Sequence, residues 1–136
     1  MKILELLTKN RVMGNRGETA AASYLRKNKY KILERNYVAH KSEIDIIASN
    51  KEYLVFVEVK SRTEGRSERY EPRPASSVTP EKQRKILSAA RYYLAYNQQH
   101  KKVRFDIIEI YYTAEGKVSN IDHIISAFGF NSAYNR

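Results

Sequence analysis

The chain of 136 residues contains no cysteine, which excludes disulfides, thiolate metal sites and a cysteine nucleophile. It also lacks any apolar run of about 18 residues or more, so no helical membrane span is expected. The N-terminal stretch Met1–Lys9 carries Glu5 inside its short apolar part and shows no small-residue cleavage pattern, which makes it a poor signal peptide. A soluble, cytoplasmic protein is the expectation. Histidine is scarce: His40, His100 and His123 have no ligand spacing, and none is read as metal-binding. Acids are outnumbered, 15 Asp and Glu against 25 Lys and Arg, for a formal charge of +10. Such a balance in a chain long enough for one core and too short for two points to a single domain over 1–136 with a polyanionic partner. Nucleic acid leads, and an anionic membrane surface comes second.

The few acids are placed unexpectedly. Leu54-Val55-Phe56-Val57-Glu58-Val59-Lys60 reads as a buried central strand, and the two-residue period sets Leu54, Phe56, Glu58 and Lys60 on one face. An acid and a base continuing an apolar row need a reason, because ionised groups are rarely buried unless paired or metal-bound. Glu-x-Lys alone is weak evidence, expected about 0.5 times by chance in a chain this long. The preceding run, Glu43-Ile44-Asp45-Ile46-Ile47-Ala48, is another apolar strand interrupted by an acid, joined through Ser49-Asn50-Lys51. Paired as an antiparallel hairpin, the two bring Asp45 beside Glu58 and Lys60.

Asp45, a hairpin's worth of residues, then Glu58-Val59-Lys60 resembles the PD-(D/E)xK nuclease superfamily, with Ile44 where the naming Pro would stand. More closely, the chain is similar to the YraN-type family of predicted endonucleases, related to archaeal Holliday junction resolvases. The matching segments are Gly14–Ala21, Asn36-Tyr37, Glu43–Ala48, Phe56–Arg62, Val78–Arg84, Arg104-Phe105-Asp106 and His123-Ile124. Ser42 stands where that family usually has Gly. The resemblance implies an α/β, restriction-endonuclease-like fold: an α-β-β-β-α-β core with a central mixed sheet flanked by helices, plus an extra C-terminal strand. It implies a metal-dependent endonuclease acting on branched or structured DNA. Asp45 and Glu58 would bind Mg²⁺ or Mn²⁺ with the Val59 carbonyl, Glu18 would complete the site, and Lys60 would act on the nucleophile or the developing charge.

Taken in order, residues 1–15 read as an arm with a short helix broken at Gly14 and Gly17, followed by a better helix from Arg16 to about Asn28. Ala21, Ala22 and Leu25 lie three, four and seven positions after Glu18, which puts Glu18 on the packing face. Glu18 is either a first-turn acid favoured by the helix dipole or, as the resemblance implies, a metal-site acid. Tyr30–Val38 reads as a strand. Residues 61–78, with Gly65, Pro72 and Pro74, read as a long basic loop. It is either a solvated connector or a flap whose Arg62, Arg66, Arg69 and Arg73 order on phosphates.

Thr79-Pro80 is a strong helix start, and the helix is expected to run to about Gln98. Gln83 heads its apolar stripe, as a plain helix-start residue or as a group positioning substrate or water. Lys82, Arg84 and Lys85 lie mainly off the stripe and are assigned to phosphates. Tyr92 and Tyr96 are expected to be half-buried packing rather than base-stacking rings. Val103–Tyr112 and Lys117–Ile125 read as strands, the first parallel to the Glu58 strand through a crossover. Asp106 is expected to pair with Arg104 or a surface lysine. DNA is the expected partner, no membrane is, and a homodimer is left open. Two rivals stand beside the enzyme: a nuclease-like module that binds without cutting, and a small basic ribosome-associated protein.

Overall fold

The structure, a computed structural model, describes residues 3–64 and 78–130, with side chains from Asn15 onward. Its elements run α1 (Ile3–Lys27), β1 (Lys31–Ala39), β2 (Ser42–Ser49), β3 (Tyr53–Thr63), α2 (Pro80–Tyr96), β4 (Lys102–Tyr112) and β5 (Val118–Phe128). The strands form one sheet in sequence order, antiparallel throughout except for the β3–β4 pair. That is the expected α-β-β-β-α-β order with a further C-terminal strand.

Each turn has a local cause. His40 and Lys41 join β1 to β2 with φ of 52° and 62°, the two left-handed residues that a tight hairpin needs to follow strand twist. In the next turn Asn50 Oδ1 accepts the amides of Glu52 (3.0 Å) and Tyr53 (2.7 Å), so the side chain stands in for backbone pairing. Thr79 Oγ1 caps α2 by accepting the Lys82 amide at 3.1 Å, with Pro80 at the first helical position.

The alternation of β3 divides the core. Leu54 and Phe56 pack with Ile86, Leu87 and Tyr93 of α2; Val55 and Val57 pack with Ala21, Ala22 and Leu25 of α1. Each helix thus seals one face, which accounts for the run of apolar residues in both central strands.

Two expectations change. Helix α1 is not interrupted at Gly14 or Gly17: two glycines cost about 1 kcal/mol each relative to Ala, too little to break a helix of this length. At Gly17 the missing side chain lets α1 approach the sheet, since a β-carbon there would overlap Ser61 Oγ. The basic loop also starts later. Ser61, Arg62 and Thr63 remain in β3 because β4 supplies parallel partners in Ile110, Tyr111 and Tyr112. Arg66, Arg69 and Arg73 lie outside the described residues.

Candidate active site

Strands β2 and β3 pair from Ser49–Leu54 as far as Ile46–Val57, and there the ladder stops. At the same register the next rungs would set Asp45 opposite Glu58 and Ile44 opposite Val59, but the strands part. The Val59 amide, deprived of a backbone partner, donates instead to Asp45 Oδ2 at 2.8 Å. In an extended strand a residue's N–H and C=O point the same way, so the Val59 carbonyl opens toward the same gap.

A second irregularity aims Asp45. Ile44 packs on the α2 side and Ile46 on the α1 side, so the two-residue alternation breaks between them. On the neighbouring strand Asn36, lying between the Arg35–Ile46 and Tyr37–Ile44 rungs, has φ of 54°. Asn adopts this left-handed conformation more readily than most side chains. Its side-chain amide favours the charged form of Glu18.

The break leaves Asp45 reaching both faces. Toward α1, Glu18, Glu43 and Asp45 each offer a carboxylate oxygen within 4.8 Å of the others, and Glu18 Oε1 is buried without a hydrogen-bond partner. Toward α2, Asp45 hydrogen-bonds the carboxyl of Glu58, which is buried. Burial first, then the Glu58 charge and that hydrogen bond, push the Asp45 carboxyl up to about 7, against the pull of the Val59 amide and Lys82. Glu18 is raised as well, by burial and then by Asp45 and Glu43, with Arg35 and Asn36 opposing. Crowded, desolvated carboxylates that raise one another in this way are relieved by a bound cation.

Cations border the group. Lys60 Nζ and Lys82 Nζ lie 3.7 Å and 3.6 Å from the same Glu58 oxygen. Both lysines are partly exposed, so these are contacts of positioning and charge balance more than of stability. The structure thus brings Glu18 and Asp45 together with Glu43, and sets Glu58 against Asp45 with Lys60 and with Lys82, which sequence reasoning had assigned to phosphates.

Other expected residues go elsewhere. Gln83 is buried, with Nε2 donating to the Val78 carbonyl at 2.9 Å and Oε1 without a partner; it braces the entry to α2. Arg62 is turned inward, its Nε 2.6 Å from the buried Glu109 carboxylate, which also accepts from Tyr111. Arg84 and Lys85 are exposed on α2, Lys85 within 3.7 Å of Glu81. Glu43 and Asn36 were missed as site residues. For Glu43 a signal existed: it lies two positions before Asp45, the spacing of one strand face.

Asp106 pairs with Arg104, as expected, and also with His123. Arg104 donates from Nε and Nη2 to its oxygens at 2.9 and 2.8 Å, His123 Nε2 lies at 2.7 Å, and the Ser126 amide donates at 3.0 Å. The carboxylate can only accept, so His123 carries its proton on Nε2; its Nδ1 lies 3.0 Å from the Tyr24 hydroxyl. This network ties α1, β4 and β5 together and is separate from the carboxylate group.

A mixed sheet opening onto clustered oxygen donors defines an α/β protein whose acidic group could hold a metal ion. The chain belongs to the family described as "Uncharacterised protein family UPF0102", whose model matches residues 17–110. This is the YraN-type family to which its motifs pointed. It is 45% identical over 120 residues to a UPF0102 protein of Geobacter metallireducens, covering 88% of this chain and 93% of that one. A UPF0102 protein of Desulfosudis oleivorans is 40% identical over 129 residues, 94% and 98% of the two chains. One from Clostridium perfringens is 38% identical over 120 residues, 88% and 95%. The matched region contains the whole site, from Glu18 to Lys82. No helix among the described residues is long and apolar enough to cross a membrane.

Proposed function

We propose that the protein is a metal-dependent endonuclease that hydrolyses DNA phosphodiester bonds, with branched or structured DNA as its substrate. The observation that carries this reading is the convergence of Glu18, Glu43 and Asp45 where β2 leaves β3, with Glu58 against Asp45 on the other side and edged by Lys60 and Lys82. A pure binder of polyanions gains nothing from acids where phosphate must lie. Paired acids with a lysine suit hydrolysis.

The donor set is hard oxygen throughout, which suits Mg²⁺ or Mn²⁺, and the unpartnered Glu18 Oε1 and the raised Asp45 are what a cation bound there would relieve. Asp45, Glu58, Glu18 and the Val59 carbonyl would hold it, with Glu43 at the exposed edge. Such an ion polarises the phosphoryl group and acidifies water. The Val59 amide fixes Asp45, so this donor is placed before substrate arrives. Lys60 meets the charge that grows on the phosphoryl oxygens as water attacks and the bond to the leaving oxygen breaks. Lys82 offsets the carboxylate charge that would repel the substrate, and Arg84 and Lys85 contact flanking phosphates without reading sequence.

Labelled linear, flap, fork and four-way DNA incubated with Mg²⁺ or Mn²⁺ tests the proposal, with Glu58→Ala as the control. Cleavage of a branched substrate that vanishes in the variant is expected. DNA binding without cleavage on every substrate would favour a nuclease-like module that only binds.

A further inference from the structure

Tyr92 is half-buried, as the helical spacing suggested, but Tyr96 is not. They are 40% and 73% exposed, with ring centroids 4.7 Å apart and planes inclined by 42°. The exposed His40, held at the β1–β2 turn, sets its ring edge-on to Tyr92, with centroids at 4.9 Å and planes at 82°. Tyr92 is thereby braced from the sheet while Tyr96 stands free on the last turn of the helix. Two neighbouring rings, one half-exposed and one mostly in water, lack the full burial that normally accounts for aromatic residues on a helix face.

What surrounds them is basic. The solvent face of α2 exposes Arg84, Lys85 and Arg91 against one acid, Glu81, and Lys41 is exposed beside His40. Exposed rings interleaved with cations match single-stranded nucleic acid, whose bases stack on ring faces while its phosphates meet the charges. Duplex DNA keeps its bases stacked on one another and offers such rings nothing.

We propose that Tyr92 and Tyr96, steadied by His40, form a stacking platform for unpaired nucleobases. The proposal rests on the nucleic-acid reading above and deepens it by naming what the enzyme recognises in branched DNA: a single-stranded arm. Lys82, at Glu58, and Tyr92 are ten positions apart on one helix, about 15 Å along its axis. A few nucleotides of single strand cover that distance, so one arm can lie on the rings while the junction lies at the carboxylates.

The test is a binding measurement in EDTA, so that a protein that never cuts still answers it. Labelled oligothymidylate of roughly 16 nucleotides and a duplex of equal length are titrated with wild type, the Tyr92→Ala/Tyr96→Ala double variant and the corresponding Phe variant. The alanine variant should lose about tenfold in single-strand affinity per ring removed, with duplex affinity changed less than twofold. The Phe variant should match wild type, because stacking uses the ring and not the hydroxyl. A 2-aminopurine placed in the single strand should report stacking by its fluorescence in wild type and Phe protein alone. Unchanged single-strand affinity in the alanine variant would overturn the proposal, as would equal losses on single strand and duplex. A change of oligomeric state with binding unaltered would assign the rings to contact between copies. Cleavage that survives such a result would leave the nuclease reading standing.

Discussion

Asp45 reaches across the opening between β2 and β3 to take the Val59 amide, 2.8 Å away, in place of a backbone carbonyl. One side chain thus ends the strand pairing and presents a carboxylate in the gap. Asp45→Asn keeps an oxygen for that amide and an N–H for Glu58 while removing one charge from a crowd of four acids. Without divalent ions the variant is expected to be more stable than wild type by about 1 kcal/mol, a few degrees in Tm. Mn²⁺ should raise the Tm of wild type through binding to the folded state and leave the variant unmoved. Thermal melts with EDTA and with Mn²⁺ measure both effects, and equal Mn²⁺ shifts would remove Asp45 from the metal site.

Lys60→Ala should separate chemistry from binding. A lysine acting on the transition state is worth about 10²-fold or more in turnover, whereas its partly exposed contact with Glu58 contributes less than about 1 kcal/mol to stability. Arg84→Ala is the contrast: it should weaken DNA binding on every sequence and flatten the salt dependence by about one unit. Single-turnover rates and salt-titrated affinities of the two variants check the division. Wild-type cutting by a folded Lys60→Ala protein would reduce the Glu58–Lys60 contact to an ordinary ion pair.

Gly17 and Ser61 should behave as one unit. Alanine is about 1 kcal/mol better than glycine inside a helix, but its β-carbon at position 17 overlaps Ser61 Oγ, and overpacking costs about 1–3 kcal/mol. Gly17→Ala is therefore expected to destabilise by about 1 kcal/mol in wild type and to stabilise by a similar amount in a Ser61→Ala background. Denaturant titrations of the four proteins give the coupling directly. Additive effects would mean that α1 does not depend on this approach to hold Glu18 near Asp45.

Asp106 is expected to contribute to acid stability. Burial pushes its carboxyl up, but the hydrogen bonds from His123, Arg104 and Ser126 and the Arg104 charge outweigh that and hold it below the ordinary value. A depressed carboxyl contributes stability that is present above its unfolded pKa, about 3.9, and is lost as pH falls through the folded one. The groups facing it are Arg104 and His123, with Tyr24 and Tyr30 hydrogen-bonded behind them. Asp106→Asn leaves the buried Arg104 charge without its counter-charge, against the Tyr30 hydroxyl and the Tyr53 ring, and should cost about 3–5 kcal/mol near neutrality. Its stability should also fall less steeply than that of wild type below pH 4. Denaturation across pH measures both, and parallel acid limbs would show that another carboxylate carries the acid transition.

Local sequence determined the elements, because a strand or helix announces itself by its own side-chain period. Leu54, Phe56 and Glu58 fell on one face, Thr79-Pro80 began α2, and a single hairpin carried Asp45 to Glu58. Which polar groups then meet is a matter of register, twist and helix approach, none of which is a local property. Thus Arg62, equivalent in sequence to any other cation of the basic stretch, is held inward by Glu109, 47 positions away. Lys82 reaches Glu58 only because α2 starts over the opened end of β3. Tyr92 and Tyr96 have the spacing of half-buried packing, yet Tyr96 is mostly in water, since the stripe one position over, with Leu87, Ala90 and Tyr93, already covers the sheet. Asn36 became a site residue only where the alternation of β2 breaks, a distortion created by the pairing of two strands and written in neither alone.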